Sequence, residues 1–395
     1  MDISRSNQAS DRPLRLGVAG LGRAFVLMLP TFTAHPRVEM VAACDPRDDA
    51  RRKFVAEFSG RAYPTIEALC SDADVDAVYI STPHQFHAEH AIVAASRGKH
   101  VLVEKPMALT LGECRAMIDA ARAAGVVLLI GHSHSFDAPY LRAREAIASG
   151  MYGAVRMITA LNYTDFMYRP RRPEELDTAR GGGVVFSQGA HQVDVVRLLA
   201  GGNVRSVRAH AGAWDPSRPT EGAYNAQLTF GNDVFASLTY SGYAHFDSDE
   251  LQGWIGELGH ARDTSQYGAA RAALQGVTPS QEIALKGQRA YGAPATLTSA
   301  PIAHNHFGMV IVSCEHADLR PMPNGVMIYA DAEVRIDPLP PPTIPRAEVI
   351  DELCDAVAGT RAAIHTGEWA MATLAVCLGI IESARSGREV HLEHD

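Results

Sequence analysis

The chain is short of the features that mark specialised protein classes. It has only six cysteines in 395 residues, Cys44, Cys70, Cys114, Cys314, Cys354 and Cys377, far apart and without a CxxC or ligand spacing. That excludes a disulfide-stapled scaffold or a zinc ribbon and fits a reducing compartment. The opening MDISRSNQASDRP is polar where a secretory leader would be apolar, and the apolar runs are short pieces such as VVLLIG. A membrane helix needs roughly 20 such residues, so the expectation is a cytoplasmic protein with no membrane contact. Positive charge is also scarce, with 36 basic residues against 45 acidic ones and a net charge of -9. Such a balance would repel a polyanion, so nucleic acid is not an expected partner. Internal repeats are lacking, and the proline run PLPPPTIP is the one biased segment.

What is present is ordinary globular composition, 47% apolar and 21% charged, in a length that suits about two domains. Residues 1–13 are polar and aperiodic and read as a disordered tail. From Leu14 to about residue 135, short apolar runs (LRLGVAG, VEMVAACD, DAVYIST, HVLVEKP, VVLLIGH) alternate with helix-period stretches such as DDARRKFVAEF and TLGECRAMIDAARAAG. This is the pattern of βαβ units and a doubly wound parallel sheet. Residues 136–395 form the second domain. After a helix at Tyr140–Ser149, consecutive strand-like runs (AVRMITALNY, VRSVRAHAGAW, YNAQLTF, VFASLTYSG, LQGWIGEL) predict an α+β domain with an open, mainly antiparallel sheet. Pro323–Gly325 reads as a hairpin turn, and two helices at about 346–358 and 368–386 close the chain. Residues 260–306 show no consistent period beyond one helix-like stretch, TSQYGAARAAL.

Gly20-Leu21-Gly22 follows the first strand and opens a helix, where glycine lets the backbone approach a pyrophosphate lying on the helix N-terminus. The third position of that fingerprint, usually small, is Phe25. Asp45 ends the second strand at the spacing where an acid accepts a ribose 2′-hydroxyl. These features define a Rossmann-type domain. An acid at that point repels a 2′-phosphate, so NAD is expected over NADP, with Arg47 softening the preference. Further motifs, Ser81-Thr82-Pro83-His84 and Glu104-Lys105-Pro106, fall at later strand ends, the edge on which open α/β sheets bind ligands. The candidate cofactor set is Gly20, Gly22, Arg23, Ala24, Phe25, Asp45, Arg47, Thr82, Pro83, His84, His87, Glu104 and Lys105.

Taken in order, AGLGRAF, CDPR, STPHQFHAEHA, GKHVLVEKPMALT and GGGVVFSQGAHQVDVVRLLAGG resemble the Gfo/Idh/MocA oxidoreductases. The resemblance implies a nicotinamide-binding domain followed by a domain whose open sheet commonly makes the oligomer contact, hence a homodimer or homotetramer. It maps the family's lysine onto Lys105, its nicotinamide-lining Thr-Pro onto Thr82 and Pro83, and its helix histidine onto His191. The family's usual Asn after that Pro is His84 here, and its aspartate four residues before the histidine is Ser187. Ser187, His191 and Asp194 would share one face of a helix, with Asp194 placed to orient His191. Hydride transfer to a nicotinamide requires a group to take the hydroxyl proton. Lys105, its pKa lowered beside a cationic ring, is the expected base and His191 its partner.

Arg169, Arg171, Arg172 and Arg180 concentrate positive charge in an acidic chain. With His132 and His134 they suggest an anionic, di-acid small-molecule substrate. The competing reading is a solvated loop neutralised by Glu174, Glu175 and Asp177. HxH on a strand, with His191, could also suggest zinc, but neither cysteine nor carboxylate is spaced to complete a site, so no metal is expected. Within the family, AGLGRAF, the Arg-Pro-Arg-Arg-Pro loop and FGMVIVSCEHADLRPMPNG resemble the phthalate cis-4,5-dihydrodiol dehydrogenases. That implies NAD-dependent oxidation of cis-4,5-dihydroxycyclohexadiene-1,2-dicarboxylate to 4,5-dihydroxyphthalate. A sugar or cyclitol dehydrogenase and a non-catalytic nucleotide-sensing regulator are the alternatives.

Overall fold

The computed structural model describes residues 12–293 and 300–393. Contacts group them into two compact units: 12–132 with 289–293 and 346–369, and 133–288 with 300–345 and 370–393. The first eleven residues of the expected tail lie outside the described residues. Arg12 does not belong to a tail, because it forms an ion pair with Asp76 at 2.6 Å.

In the first unit six strands, β1 (Leu14–Ala19), β2 (Val38–Cys44), β3 (Arg61–Tyr63), β4 (Ala77–Ile80), β5 (His100–Val103) and β6 (Leu128–Ile130), form one parallel sheet. Its order is β3-β2-β1-β4-β5-β6, which reverses direction after β1 and so opens a crevice beyond the carboxyl ends of β1 and β4. The central strands are apolar throughout because helices cover both faces; Ala77 to Ile80 are all fully buried. Thr110 and Glu113 form a capping box at the start of the helix Leu111–Ala124, and Gly125 ends it in the left-handed conformation. Residues 346–369, expected in the second domain, group with this unit instead. Thr366 bridges to Leu129 beside β6, and Arg37 pairs with Asp351 and Asp355. Burial raises the thiols of Cys44, Cys70 and Cys114 to about 12, which makes them inert.

The second unit is built on nine strands, β7 (Val155–Tyr163), β8 (Val204–Gly212), β9 (Ala223–Phe230), β10 (Phe235–Ser241), β11 (Met309–Cys314), β12 (Ala317–Met322), β13 (Gly325–Ala330), β14 (Val334–Pro338) and β15 (Val390–His391). They run in the order β14-β13-β12-β11-β7-β10-β9-β8-β15, antiparallel except for the β7/β10 pair. The α/β class with a parallel first sheet and a mainly antiparallel second one is as expected. Pro323 and Asn324 make the two-residue turn between β12 and β13. Alternation gives the sheet two faces: Ile328, Leu319, Val312, Ile158 and Ala236 are buried, and the adjacent row runs through Val334, Tyr329, Asp318, Ser313, Met157 and Phe235. The core helix Ala190–Ala200 is buried along its whole length.

LQGWIGEL is not a strand. A 3-10 turn, Ser248–Gln252, leads to Gly253 and Trp254 in the left-handed region, which strand alternation cannot accommodate. One helix among the described residues, Gly367–Ser386, is long and apolar enough to cross a membrane by length and composition, unlike the short runs expected. Its Leu374, Val376, Cys377 and Ile380 are nonetheless buried, as in a core helix.

Candidate functional site

The candidate residues fall into two groups, one in each unit. In the first unit, Gly20 has φ +90°, and a Cβ there would lie 3.0 Å from the Ser81 carbonyl and the Thr82 nitrogen. Glycine is therefore required to let the β1 end pass the β4 end. Gly22 caps the helix Arg23–Ala34 without a side-chain cap, and an added Cβ would come no nearer than 3.9 Å to Ser81 O. Packing alone does not demand glycine at position 22, whereas a pyrophosphate cradled at a helix N-terminus does. The Phe25 ring is fully buried edge-on against Tyr291, 5.2 Å between centroids, so this ring is a packing element and not a cofactor contact.

The Asp45 carboxylate, buried at the end of β2, accepts from Leu21 N–H at 2.8 Å and from Arg47 N–H and Nε at 2.9 and 3.0 Å. Arg47 also donates to the carbonyls of Leu21 and Tyr291. The acid expected at the ribose thus anchors the glycine turn and carries a guanidinium partner. Tyr291, which no sequence signal identified, donates to Leu21 O through its own N–H and to Glu57 through its hydroxyl.

Thr82 and Lys105 lie on neighbouring strand ends tied by His87. This buried ring places Nδ1 2.9 Å from the Pro106 carbonyl and Nε2 2.9 Å from the Thr82 carbonyl. Thr82 Oγ1 is 3.0 Å from His90 Nδ1, and His84 stands beside the His87 ring. Glu104 accepts from the Tyr79 hydroxyl at 2.6 Å, and burial holds its carboxyl above the usual range. A cavity of about 520 Å³ in this unit, lined by Ile118, Ala121, Leu128 and Gly367 among others, contains none of these residues.

In the second unit the candidates gather around three rings. His191, in the first turn of its helix, packs 4.6 Å from His134 and 5.1 Å from Phe307. His134 Nδ1 is 2.6 Å from Asp137 and Nε2 is 3.4 Å from Glu257. Burial opposes charge on His134, but the two carboxylates outweigh it and raise its pKa. Glu257 is held well below the usual carboxylate range, because Arg169 and His134 together overcome the opposing effect of burial. Glu257 lies in the run LQGWIGEL and Phe307 opens the segment FGMVIVSCEHADLRPMPNG, but neither stands out in the sequence as a site residue.

Several expectations require correction. His132 and His134 are not paired on a strand: β6 ends at Ile130, and the two residues fall in different units. Ser187 sits in a π-helical turn, Val185–Gly189, whose wider period breaks the shared face expected with His191 and Asp194. Asp194 accepts hydrogen bonds from Ser135 and from Thr373 Oγ1 at 2.8 Å, contacts that anchor the core helix. Three of the four arginines have charged or aromatic partners. Arg169 pairs with Asp165 at 2.8 Å and Glu257 at 3.2 Å, Arg172 with Glu174 at 3.0 Å, and Arg171 stacks on Phe166 while its N–H donates to Glu282. Arg169 is thus tied to Asp165 and Glu257 rather than to the Glu174, Glu175 and Asp177 of the solvated-loop reading, and of those three acids only Glu174 and Glu175 pair with an arginine of this segment among the described residues. By contrast, Ser133 Oγ and Gln188 Oε1 are buried without a hydrogen-bond partner among the described residues, the mark of atoms left for water or ligand.

Comparison with known proteins agrees with both halves. The profile of an oxidoreductase family with an NAD-binding Rossmann fold matches residues 14–132, and the C-terminal domain of the Gfo/Idh/MocA family matches residues 140–261. The chain is 50% identical, over 94% of its length and 95% of the relative, to 1-carboxy-3-chloro-3,4-dihydroxycyclohexa-1,5-diene dehydrogenase of Comamonas testosteroni. A solved structure of a candidate dehydrogenase from Bordetella bronchiseptica RB50 superposes with a TM-score of 0.91 at 41% identity, covering 96% of this chain and all of that one. The similarity to 1,5-anhydro-D-fructose reductase of Ensifer adhaerens is more limited, 35% identity over 47% of this chain and 55% of that protein.

Proposed function

The chain belongs to the Gfo/Idh/MocA family and is an NAD-binding oxidoreductase, and from that premise we propose that it oxidises a carboxylated cyclohexadiene cis-diol. The observation that carries the substrate class is the likeness, along nearly the whole chain, to the Comamonas dehydrogenase. The sugar-acting relative named above is 35% identical over 47% of this chain, a weaker likeness than that to the Comamonas dehydrogenase.

The nicotinamide, when bound, accepts hydride from the carbinol carbon. Gly20 and Gly22 would shape the turn for the pyrophosphate, the Asp45–Arg47 pair would meet the adenosine ribose, and Thr82 and Pro83 would hold the nicotinamide. Lys105 is the candidate to take the hydroxyl proton, and His191 is the catalytic candidate of the second unit. The resulting ketone enolises to an aromatic catechol, which draws the reaction forward. The dicarboxylate cis-4,5-diol is one member of this class and a monocarboxylated diol another.

The open face of the nine-stranded sheet is the proposed homo-oligomer contact, because it leaves Met157, Phe235, Tyr329, Val334 and Ile336 exposed on one side. Phe235→Glu should lower the mass seen by light scattering, and an unchanged mass would place the contact elsewhere.

A further inference from the structure

We infer that His134 is a positioning residue that fixes His191 in its Nε2–H form, so that His191 offers the reacting oxygen a hydrogen-bond donor and not a base. This rests on the dehydrogenase reading above for its meaning, but its geometry lies wholly within the second unit. The backbone N–H of His134 donates to His191 Nδ1 at 3.3 Å. A backbone nitrogen in that position can only donate, so Nδ1 must keep its lone pair. The proton of the neutral ring then resides on Nε2. Protonating Nδ1 would set one N–H against another.

The donor is held in place from both sides of its own ring. His134 lies between Asp137 and Glu257, Glu257 is held in turn by Arg169, and Arg169 by Asp165, giving a row of alternating charge. Phe307 covers both imidazoles, 4.9 Å from His134 and 5.1 Å from His191, and its N–H is tied to the Tyr140 hydroxyl at 2.9 Å. Among the described residues the cluster also adjoins His306, Asp249, Arg262, which pairs with Asp249 at 2.8 Å, and Tyr240, which stacks on Phe307. His306 has the same arrangement, with Nδ1 accepting from Gly308 N–H and Nε2 facing the Ile255 carbonyl; burial lowers it to about 4. Asp249, 3.6 Å from His306, is raised to about 7 by burial and Asp247.

The chemical consequence is a division of labour. An Nε2–H donor cannot take the hydroxyl proton, so His191 aligns the oxygen it meets and stabilises the negative charge that grows there, and the proton is left to another group.

The test is nitrogen NMR of the full-length chain labelled in histidine, with the His191 signals assigned by their loss in His191→Asn. A pyridine-type Nδ1 and a pyrrole-type Nε2 at neutral pH are expected; a proton on Nδ1 overturns the proposal. In Asp137→Asn, shown to be folded by circular dichroism, His191 should become a mixture of the two forms, and an unchanged pure Nε2–H form would remove His134 from the role. Turnover in that variant should fall about tenfold to a hundredfold with KM for NAD unchanged. The NMR result needs no substrate, so it stands or falls separately from the identity of the diol.

Discussion

The glycine turn of the first unit and the histidine cluster of the second are held by different forces. The turn is made of backbone: Gly20 and Gly22, the strand-end carbonyls that His87 joins, and one carboxylate that receives a main-chain N–H. The cluster is made of charge, with Asp137, His134, Glu257, Arg169 and Asp165 in alternation under the Phe307 ring. A site built mainly from backbone fails first through steric change. A site built from buried charges fails when any one charge is removed or titrated.

The comparison is broken most directly at Gly20. Gly20→Val combines a positive φ with a Cβ pressed against main-chain atoms that cannot yield, a strain of about 1–3 kcal/mol or more. NAD affinity, read by nucleotide fluorescence quenching, should fall at least about tenfold, and the loss should be the same at every pH. A pH-dependent loss would contradict a backbone origin.

Arg169→Ala should destabilise the second unit by about 3 kcal/mol, by leaving Glu257 unpaired in a buried setting. The pH dependence sharpens this. A raised His134 pKa means stability that is present below the ordinary histidine value, about 6.5, and is lost as pH rises through the raised pKa. A depressed Glu257 pKa means stability present above about 4.3 and lost only in strong acid. The difference in Tm between wild type and Asp137→Asn should therefore be larger at pH about 5.5 than at about 9. Equal differences would show that His134 carries no charge.

Arg172→Ala should have the smallest effect, under about 1 kcal/mol in stability and no change in KM for an anionic diol, because this arginine is partly exposed and already paired with Glu174. A severalfold rise in KM would return the loop to the substrate side.

The same contrast explains what could be read in advance. β1, β2 and β4 to β6, the glycines, Asp45, the Thr-Pro and Glu-Lys-Pro motifs and His191 all announce themselves within short windows, because strand period and turn chemistry are local. β3 and β15 are too short for a period to register. Tyr291, Glu257 and Phe307 reach their partners only through tertiary packing, so no spacing rule finds them. The arginine loop misled for the opposite reason. Its charges were visible, but Glu257, which pairs with Arg169, lies 88 residues away in the chain.

The most direct test of the central claim follows reduced-nicotinamide absorbance while the purified protein meets NAD with phthalate cis-4,5-dihydrodiol, a monocarboxylated cis-dihydrodiol, myo-inositol or glucose, with Lys105→Ala alongside. The account predicts reduction with a carboxylated cis-diol and a loss of about a hundredfold or more in the variant. Turnover of inositol or glucose alone, or full activity in Lys105→Ala, would contradict it.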